Sequence, residues 1–285
     1  AATKALVAKP HDNFPAGVVR LNDVPYRLLI GYHPITADIY LPTQSGPGPF
    51  PAVVYGHGGG WAFGSPRNPG TPEEMSALAA LGYVVMAINY RFWGEARFPG
   101  AVQDAKAALR WIRSNAATYS VDPKRVAYWG VSAGVYLGTM IETSCGVKVL
   151  EPEANSPPSA DAGSPAIISD ASQSDCADAV VDWFAPVDFR AMDSQAIPNS
   201  RKHNIPDGSE ARLLGCALDK CAKALLAAAN PITYADAKDP PILIMHGDND
   251  HRVPLGQSKE FYDALKAKGV NAQLVVIDRK STRLN

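Results

Sequence analysis

The sequence lacks an excess of charge of either sign, since 27 Lys and Arg against 28 Asp and Glu give a formal net charge of −1. This balance argues against a broad basic surface, so we expect neither nucleic acid nor an anionic membrane as a partner. No apolar run approaches the roughly 18 residues of a transmembrane helix, and no charged-then-apolar leader opens the chain. The hydrophobic fraction of 46% and charged fraction of 19% describe a globular protein.

Cysteine is also scarce, and its four residues allow three pairings. All four lie in predicted loops, where an even number favours two disulfides, with Cys145–Cys176 and Cys216–Cys221 as the favoured pairing. Disulfides predict a secreted or periplasmic protein; the alternative is four free thiols in the cytosol. No metal site is expected, because Cys216 and Cys221 lack a second ligand pair at zinc spacing.

Short apolar segments alternate with segments of helical periodicity along most of the chain. This alternation predicts an α/β protein with a mainly parallel central sheet and helices on both faces, in one domain over residues 1–285. Strands are predicted at 26–30 and 38–41 (antiparallel, at the sheet edge), 52–55, 83–88, 126–130, 179–185, 241–245 and 272–277, and helices from Thr71 to Gly82 and over 99–119, 222–229 and 255–268.

Three further segments have sequence patterns that predict a helix start, a surface loop and an insertion. Residues 71–74, Thr-Pro-Glu-Glu, predict a capping box at a helix N-terminus. Residues 151–178 are rich in Pro, Ser, Ala and Asp, which predicts a long surface loop. Residues 188–235 carry mixed helical signals and are interpreted as a lid-like insertion above the sheet.

The strongest motif is Gly-Val-Ser-Ala-Gly at residues 130–134, between a predicted strand and a predicted helix. Gly-x-Ser-x-Gly in this context indicates a nucleophile elbow, in which a strained turn exposes the hydroxyl of Ser132. The alternative is an ordinary tight turn.

A glycine-rich segment, His-Gly-Gly-Gly-Trp at residues 57–61, follows another strand. Its unhindered N–H groups could bind an oxyanion or a phosphate. A phosphate loop would need Gly-Lys-Ser/Thr or Gly-x-Gly-x-x-Gly before a helix, and neither is present. We therefore predict an oxyanion hole formed by the N–H groups of Gly59, Gly60 and Ala133, with His57 as a brace for the loop.

Together with Asn-Tyr-Arg at 89–91, the helix at 98–111, His-Gly-Asp-Asn-Asp at 246–250 and Val-Pro at 253–254, these motifs resemble one family. It is the α/β-hydrolase carboxylesterase group that includes hormone-sensitive-lipase-like and bacterial feruloyl-esterase-like enzymes. Val131 and Val135 depart from its usual Glu and Gly. The resemblance implies an α/β-hydrolase fold, no cofactor, no metal, and Asp250 as the acid of a catalytic triad. Asp248 is the alternative acid, and a metal site of His246, Asp248, Asp250 and His251 is disfavoured by crowding.

The triad histidine is the difficulty. The resemblance places it after the last strand, but no histidine follows His251, so we expect the terminal helix and its histidine loop to be missing. His203 and His251 are weak substitutes. The bare sheet face would favour self-association.

The resulting hypothesis is a serine carboxylic-ester hydrolase that acts on short acyl, acetyl or feruloyl esters, including esters on polysaccharides, and is impaired by the absent histidine. The alternative is a catalytically silent hydrolase-fold protein that binds a ligand.

Overall fold

The computed structural model describes residues 14–152 and 171–278, whose eight strands form one sheet in the order β1-β2-β4-β3-β5-β6-β7-β8. The strands are β1 (Val18–Arg27), β2 (Ile35–Pro42), β3 (Phe50–Gly56), β4 (Val84–Ile88), β5 (Val121–Val131), β6 (Ala179–Trp183), β7 (Ile242–Gly247) and β8 (Ala272–Ile277). The helices are α1 (Thr71–Ala80), α2 (Gly100–Ser114), α3 (Ala116–Tyr119), α4 (Ala133–Thr143), α5 (Met192–Gln195), α6 (Ser209–Leu214), α7 (Lys223–Ala228) and α8 (Leu255–Ala267), with 3₁₀ turns at Lys148–Leu150 and Pro231–Thr233.

The sheet is mainly parallel, as the sequence predicts. β2 pairs antiparallel with β1 and with β4, and the pairs from β4 across to β8 are all parallel. The first strand is displaced from its predicted position at 26–30. Because Arg27 already pairs with Ile35, residues 28–34 form the connection to β2, and Ile30 is 90% exposed.

Two helices show where sequence patterns succeed and fail. The α2 stripe of Val102, Ala105 and Leu109 is buried as predicted, although the helix predicted over 99–119 is interrupted at Asn115. The prediction of a capping box at the start of α1 was wrong. Gly70, at φ 88°, is the residue before α1, no side chain caps the helix, and the Thr71 N–H donates to the Asn68 carbonyl at 2.9 Å.

Helices lie on both faces of the sheet, but unequally. Helices α2, α4 and α8 contribute to the large core on one face, and α1 to a smaller core on the other. On the α1 side, alternation along β6, β7 and β8 leaves seven apolar side chains half-buried or exposed in the described ranges. We call them the open face: Ala179, Val181, Trp183, Leu243, Met245, Val275 and Ile277.

Both disulfides form as predicted. Cys145–Cys176 joins the end of α4 to the approach to β6, and Cys216–Cys221 closes a short loop inside 188–235. That segment connects β6 to β7 and holds α5, α6 and α7; its lid-like role and the extent of the domain stay predictions. Residues 153–170 of the predicted loop lie outside the described residues. None of the described helices is long and apolar enough to cross a membrane.

Candidate active site

Ser132 is the single residue between the end of β5 and the start of α4, and its backbone has φ 52° and ψ −126°. A positive φ is strained for a residue with a side chain. The turn is held because the Ser132 N–H donates to the Trp183 carbonyl at 2.9 Å. A Cβ on Gly134 would lie 2.2 Å from the Gly56 carbonyl oxygen, so only glycine fits there. The backbone is therefore that of the predicted elbow, with Val131 tolerated in it.

The glycine loop after β3 passes beside this serine. A Cβ built on Gly58 would lie 3.5 Å from the Ser132 Cβ, and one on Gly59 would lie 1.9 Å from the Phe63 carbonyl oxygen. Gly59 and Gly60 have φ of 133° and 60°, which glycine adopts without strain. Within 14–152 and 171–278, their N–H groups donate to no acceptor.

The residues of the predicted oxyanion hole line one cavity. Gly59, Gly60, Ser132 and Ala133 all line a cavity of about 340 Å³. Ala133 is the first residue of α4, and a helix's first N–H groups have no partner inside the helix. Gly59, Gly60 and Ala133 thus lie around one cavity with Ser132, and their role as oxyanion donors stays a prediction.

His57 lies beneath the loop. Its Nδ1 donates to the Gly58 carbonyl at 2.7 Å, and its ring stacks on Tyr90 at 4.6 Å. The Tyr90 hydroxyl donates to the His57 carbonyl at 2.7 Å. Burial lowers the pKa of His57 to about 4, so the ring is neutral at neutral pH. These contacts are those of a brace for the glycine loop.

Asp250 follows β7 and is buried, whereas Asp248 is exposed. The Oδ1 of Asp250 accepts hydrogen bonds from the N–H groups of Arg252 at 2.7 Å and Val253 at 2.9 Å. Its Oδ2 is buried and has no hydrogen-bond partner in the part of the chain that the structure describes. One oxygen therefore fixes the carboxylate, and the other is left for a further donor. This geometry favours Asp250 over Asp248 as the acid.

His246 has a structural part in the same loop. Its Nε2 donates to the Val253 carbonyl at 2.8 Å, and its Nδ1 accepts from the Ser258 hydroxyl at 2.7 Å. The Nε2 lies 3.6 Å from Asp250 Oδ2, beyond hydrogen-bond range. Both ring nitrogens are engaged, so His246 is not free to bind a metal. The described ranges hold no group of three or more potential metal ligands.

His203 lines the same cavity as Ser132, but its ring is engaged elsewhere. Its Nδ1 lies 3.0 Å from Glu210 Oε1, and its Nε2 donates to the Arg252 carbonyl at 2.6 Å. Burial by itself lowers the pKa of His203, but the hydrogen bond and charge of Glu210, together with the hydrogen bond to the Arg252 carbonyl, raise it above its ordinary value.

No hydrogen bond joins a histidine ring to Ser132 among the described residues, His251 included. Four of the five predicted site residues therefore line one cavity. The fifth, Asp250, lies in a loop whose residues Arg252 and Val253 line the same cavity.

Sequence reasoning missed the polar half of this cavity. Arg201, Arg212 and Arg252 line it with Glu210. Three of these residues lie within 188–235, so the charged residues of that segment were the signal in the sequence.

A serine on a strained strand-to-helix turn, beside a glycine-rich loop and followed by a buried aspartate after a later parallel strand, is typical of an α/β-hydrolase of the carboxylesterase type. Residues 37–265 match the BD-FAE family model, and the chain belongs to that family.

Relatives agree with this class. The chain is 28% identical over 261 residues to esterase LipQ of Mycobacterium tuberculosis, covering 91% of this chain and 55% of LipQ. It thus spans about half the length of the curated relatives it matches. A truncated carbohydrate esterase from gut microbiota superposes with a TM-score of 0.75 at 28% identity, covering 97% of this chain and 92% of that one. An esterase of Thermogutta terrifontis gives a TM-score of 0.66 at 26% identity, covering 93% and 83%.

Proposed function

We propose that this chain hydrolyses carboxylic esters through an acyl-enzyme on Ser132. The observation that carries the proposal is the strained Ser132 turn beside Gly59 and Gly60, whose N–H groups donate to no acceptor among the described residues. In this mechanism the Ser132 oxygen attacks the ester carbon, and the alcohol leaves to give the acyl-enzyme. Water then releases the acid. The N–H groups of Gly59, Gly60 and Ala133 stabilise the oxyanion of each tetrahedral intermediate.

The substrates we propose are short acyl esters, including acetyl and feruloyl esters on polysaccharides. The modest cavity and the likeness to a carbohydrate esterase support this choice. The two disulfides support a secreted or periplasmic location, because such bonds persist in oxidising compartments.

Asp250 is the acid of the proposed triad, with Oδ2 as the acceptor for an imidazole N–H. The described histidines supply no base to Ser132, so we propose that the chain turns esters over slowly. In a serine protease, loss of the histidine costs on the order of a million-fold in turnover.

The test is reaction of the chain with a fluorophosphonate probe and with p-nitrophenyl acetate. We expect the probe to label Ser132 slowly, over a long incubation and as located by peptide mass spectrometry, and the ester to release nitrophenolate slowly, because both reactions need attack by the same hydroxyl. Ser132→Ala is expected to remove both signals. No labelling and no turnover would reject the esterase proposal.

That second outcome would support a catalytically silent hydrolase-fold protein that binds a ligand. The absence of a histidine bonded to Ser132 in the described residues is the observation that favours it.

A further inference from the structure

We propose that Arg201 and Arg252 form a carboxylate-binding subsite beside Ser132, which selects esters that carry a negative charge. The substrate class depends on the proposed ester hydrolase function. The subsite itself depends only on the charges around the cavity, so it can be tested without turnover.

Positive charge is concentrated at this cavity. Arg201, Arg212 and Arg252 line it, against the carboxylates of Asp207 and Glu210. The whole chain has a net charge of −1, so this local excess does not reflect a basic surface in general. It is therefore a property of the cavity.

Both carboxylates have a basic partner, and Glu210 uses Oε1 for it while its Oε2 has no hydrogen bond among the described residues. Glu210 is buried and bonded to His203, and the Asp207 carboxylate lies 3.9 Å from the Arg212 guanidinium. Arg212 also lies over the Trp93 ring at 4.7 Å.

Arg201 and Arg252 have no ion pair within the described ranges, and the Arg201 guanidinium makes one long hydrogen bond, to Ser209 Oγ at 3.3 Å. Two guanidinium groups are thus left to bind an anion.

The backbones of both arginines are fixed to the acid loop. The Arg252 N–H donates to Asp250, and its carbonyl accepts from His203. The Arg201 N–H donates to the His251 carbonyl at 2.9 Å. Anchoring lowers the conformational entropy that is lost when the side chains order around a ligand. A guanidinium binds a carboxylate by two parallel hydrogen bonds, and this is the anion chemistry that we propose for the pair.

The rest of the cavity suits a ring. Trp93 and Phe63 line it, and Phe63 is 69% exposed, so an apolar sugar face could pack on either side chain. Such a carboxylate could belong to the alcohol, as in an acylated uronic acid, or to the acyl group, as in a dicarboxylic half-ester. The charge is common to both sources.

Isothermal titration calorimetry at low salt, with Ser132→Ala as the background so that the ester ligands are not hydrolysed, distinguishes the two sources of the carboxylate. The ligands are methyl glucuronoside against neutral methyl glucoside, and monomethyl glutarate against methyl butyrate. We expect at least one carboxylate to bind about tenfold or more tightly than its neutral partner, a typical value for a charge-assisted contact. The affinity should fall as salt is added, because both arginines are exposed.

The variants Arg201→Gln and Arg252→Gln should each weaken carboxylate binding about tenfold, and the double variant should remove the preference. Arg125→Gln is the control, because Arg125 lies near the far end of β5 and is paired with Asp122. Circular dichroism confirms folding of each variant. Equal binding of charged and neutral ligands, or an unchanged preference in the folded double variant, would overturn the subsite. Failure of Ser132 labelling would instead count against the esterase proposal alone.

Discussion

At the scale of single residues, the Asp250 carboxylate has one oxygen that accepts hydrogen bonds and one that accepts none in the described structure. Two backbone N–H groups fix Oδ1, and Oδ2 is buried without a hydrogen-bond partner in the described structure. A buried acceptor without a donor costs free energy, and an imidazole N–H is the donor that a triad acid receives.

The first prediction follows from this oxygen. Added imidazole should accelerate ester hydrolysis by the chain about tenfold or more, because general-base catalysis by a positioned group contributes about 10²–10⁴-fold. Release of p-nitrophenolate measures the rate. Ser132→Ala in the same imidazole buffer corrects for hydrolysis by imidazole itself, and Asp250→Asn should lose most of the acceleration. An equal acceleration in the wild type and Ser132→Ala would contradict the assignment.

At the scale of secondary-structure elements, the turn between β5 and α4 depends on what lies beside it in space. The β3 carbonyl of Gly56 and the start of α4 approach so closely that position 134 cannot carry a Cβ. Nearby, two acidic side chains are buried, Asp182 on β6 and Glu142 on α4. Asp182 Oδ2 and both Glu142 carboxylate oxygens lack hydrogen-bond partners within the described residues.

Burial raises the pKa of Asp182 from 3.8 to about 7, opposed in part by the Ala185 N–H and the His246 ring. Burial, and then the charges of Asp239 and Asp182, raise the pKa of Glu142 well above its ordinary value. A raised carboxyl pKa means that the folded state holds the proton more tightly than the unfolded chain does. The stabilisation is complete below the unfolded pKa and is lost as pH rises through the folded pKa.

The second prediction concerns Asp182→Asn, which keeps an oxygen for the Ala185 N–H and removes the charge. Its melting temperature should exceed that of the wild type by several degrees at pH 8, at about 2–4 °C per kcal/mol. The difference should shrink as the pH is lowered towards 4. Thermal unfolding followed by circular dichroism measures both. Asp248→Asn, at an exposed site, is the control, and a difference independent of pH would contradict the prediction.

At the scale of the whole molecule, the two faces of the sheet differ. Helices α2, α4 and α8 cover one face, whereas the described structure has α1 alone against the other, over β2 and β4. The open face lies beyond that helix, and its residue Val275 is 42% exposed. Apolar patches of this kind favour association.

The third prediction is that the chain self-associates reversibly through the open face. Light scattering over a concentration series should show a mass that rises above 30.3 kDa. Val275→Lys should shift the equilibrium towards the monomer, because a charge would then face the interface. Ile30→Lys is the matched control, since Ile30 is 90% exposed and lies off the open face. A monodisperse monomer at high concentration would count against association.

Local patterns were sufficient for most of the fold. The unbroken apolar run at β4 reflects burial on both faces of the sheet, and the stripe along α2 reflects the helical repeat. Patterns failed at element ends, as at Thr71 and residues 28–30, where pairing partners distant in sequence decide which hydrogen bonds form.

The sequence by itself determined the class of this protein, because the glycines around Ser132 are required by a backbone geometry that short motifs encode. The tertiary structure alone decided what surrounds that serine. It engaged both nitrogens of His203 and of His246, fixed one oxygen of Asp250, and left Arg201 and Arg252 beside the cavity without ion pairs in the described residues. Such contacts join residues from distant segments, so no local spacing could specify them.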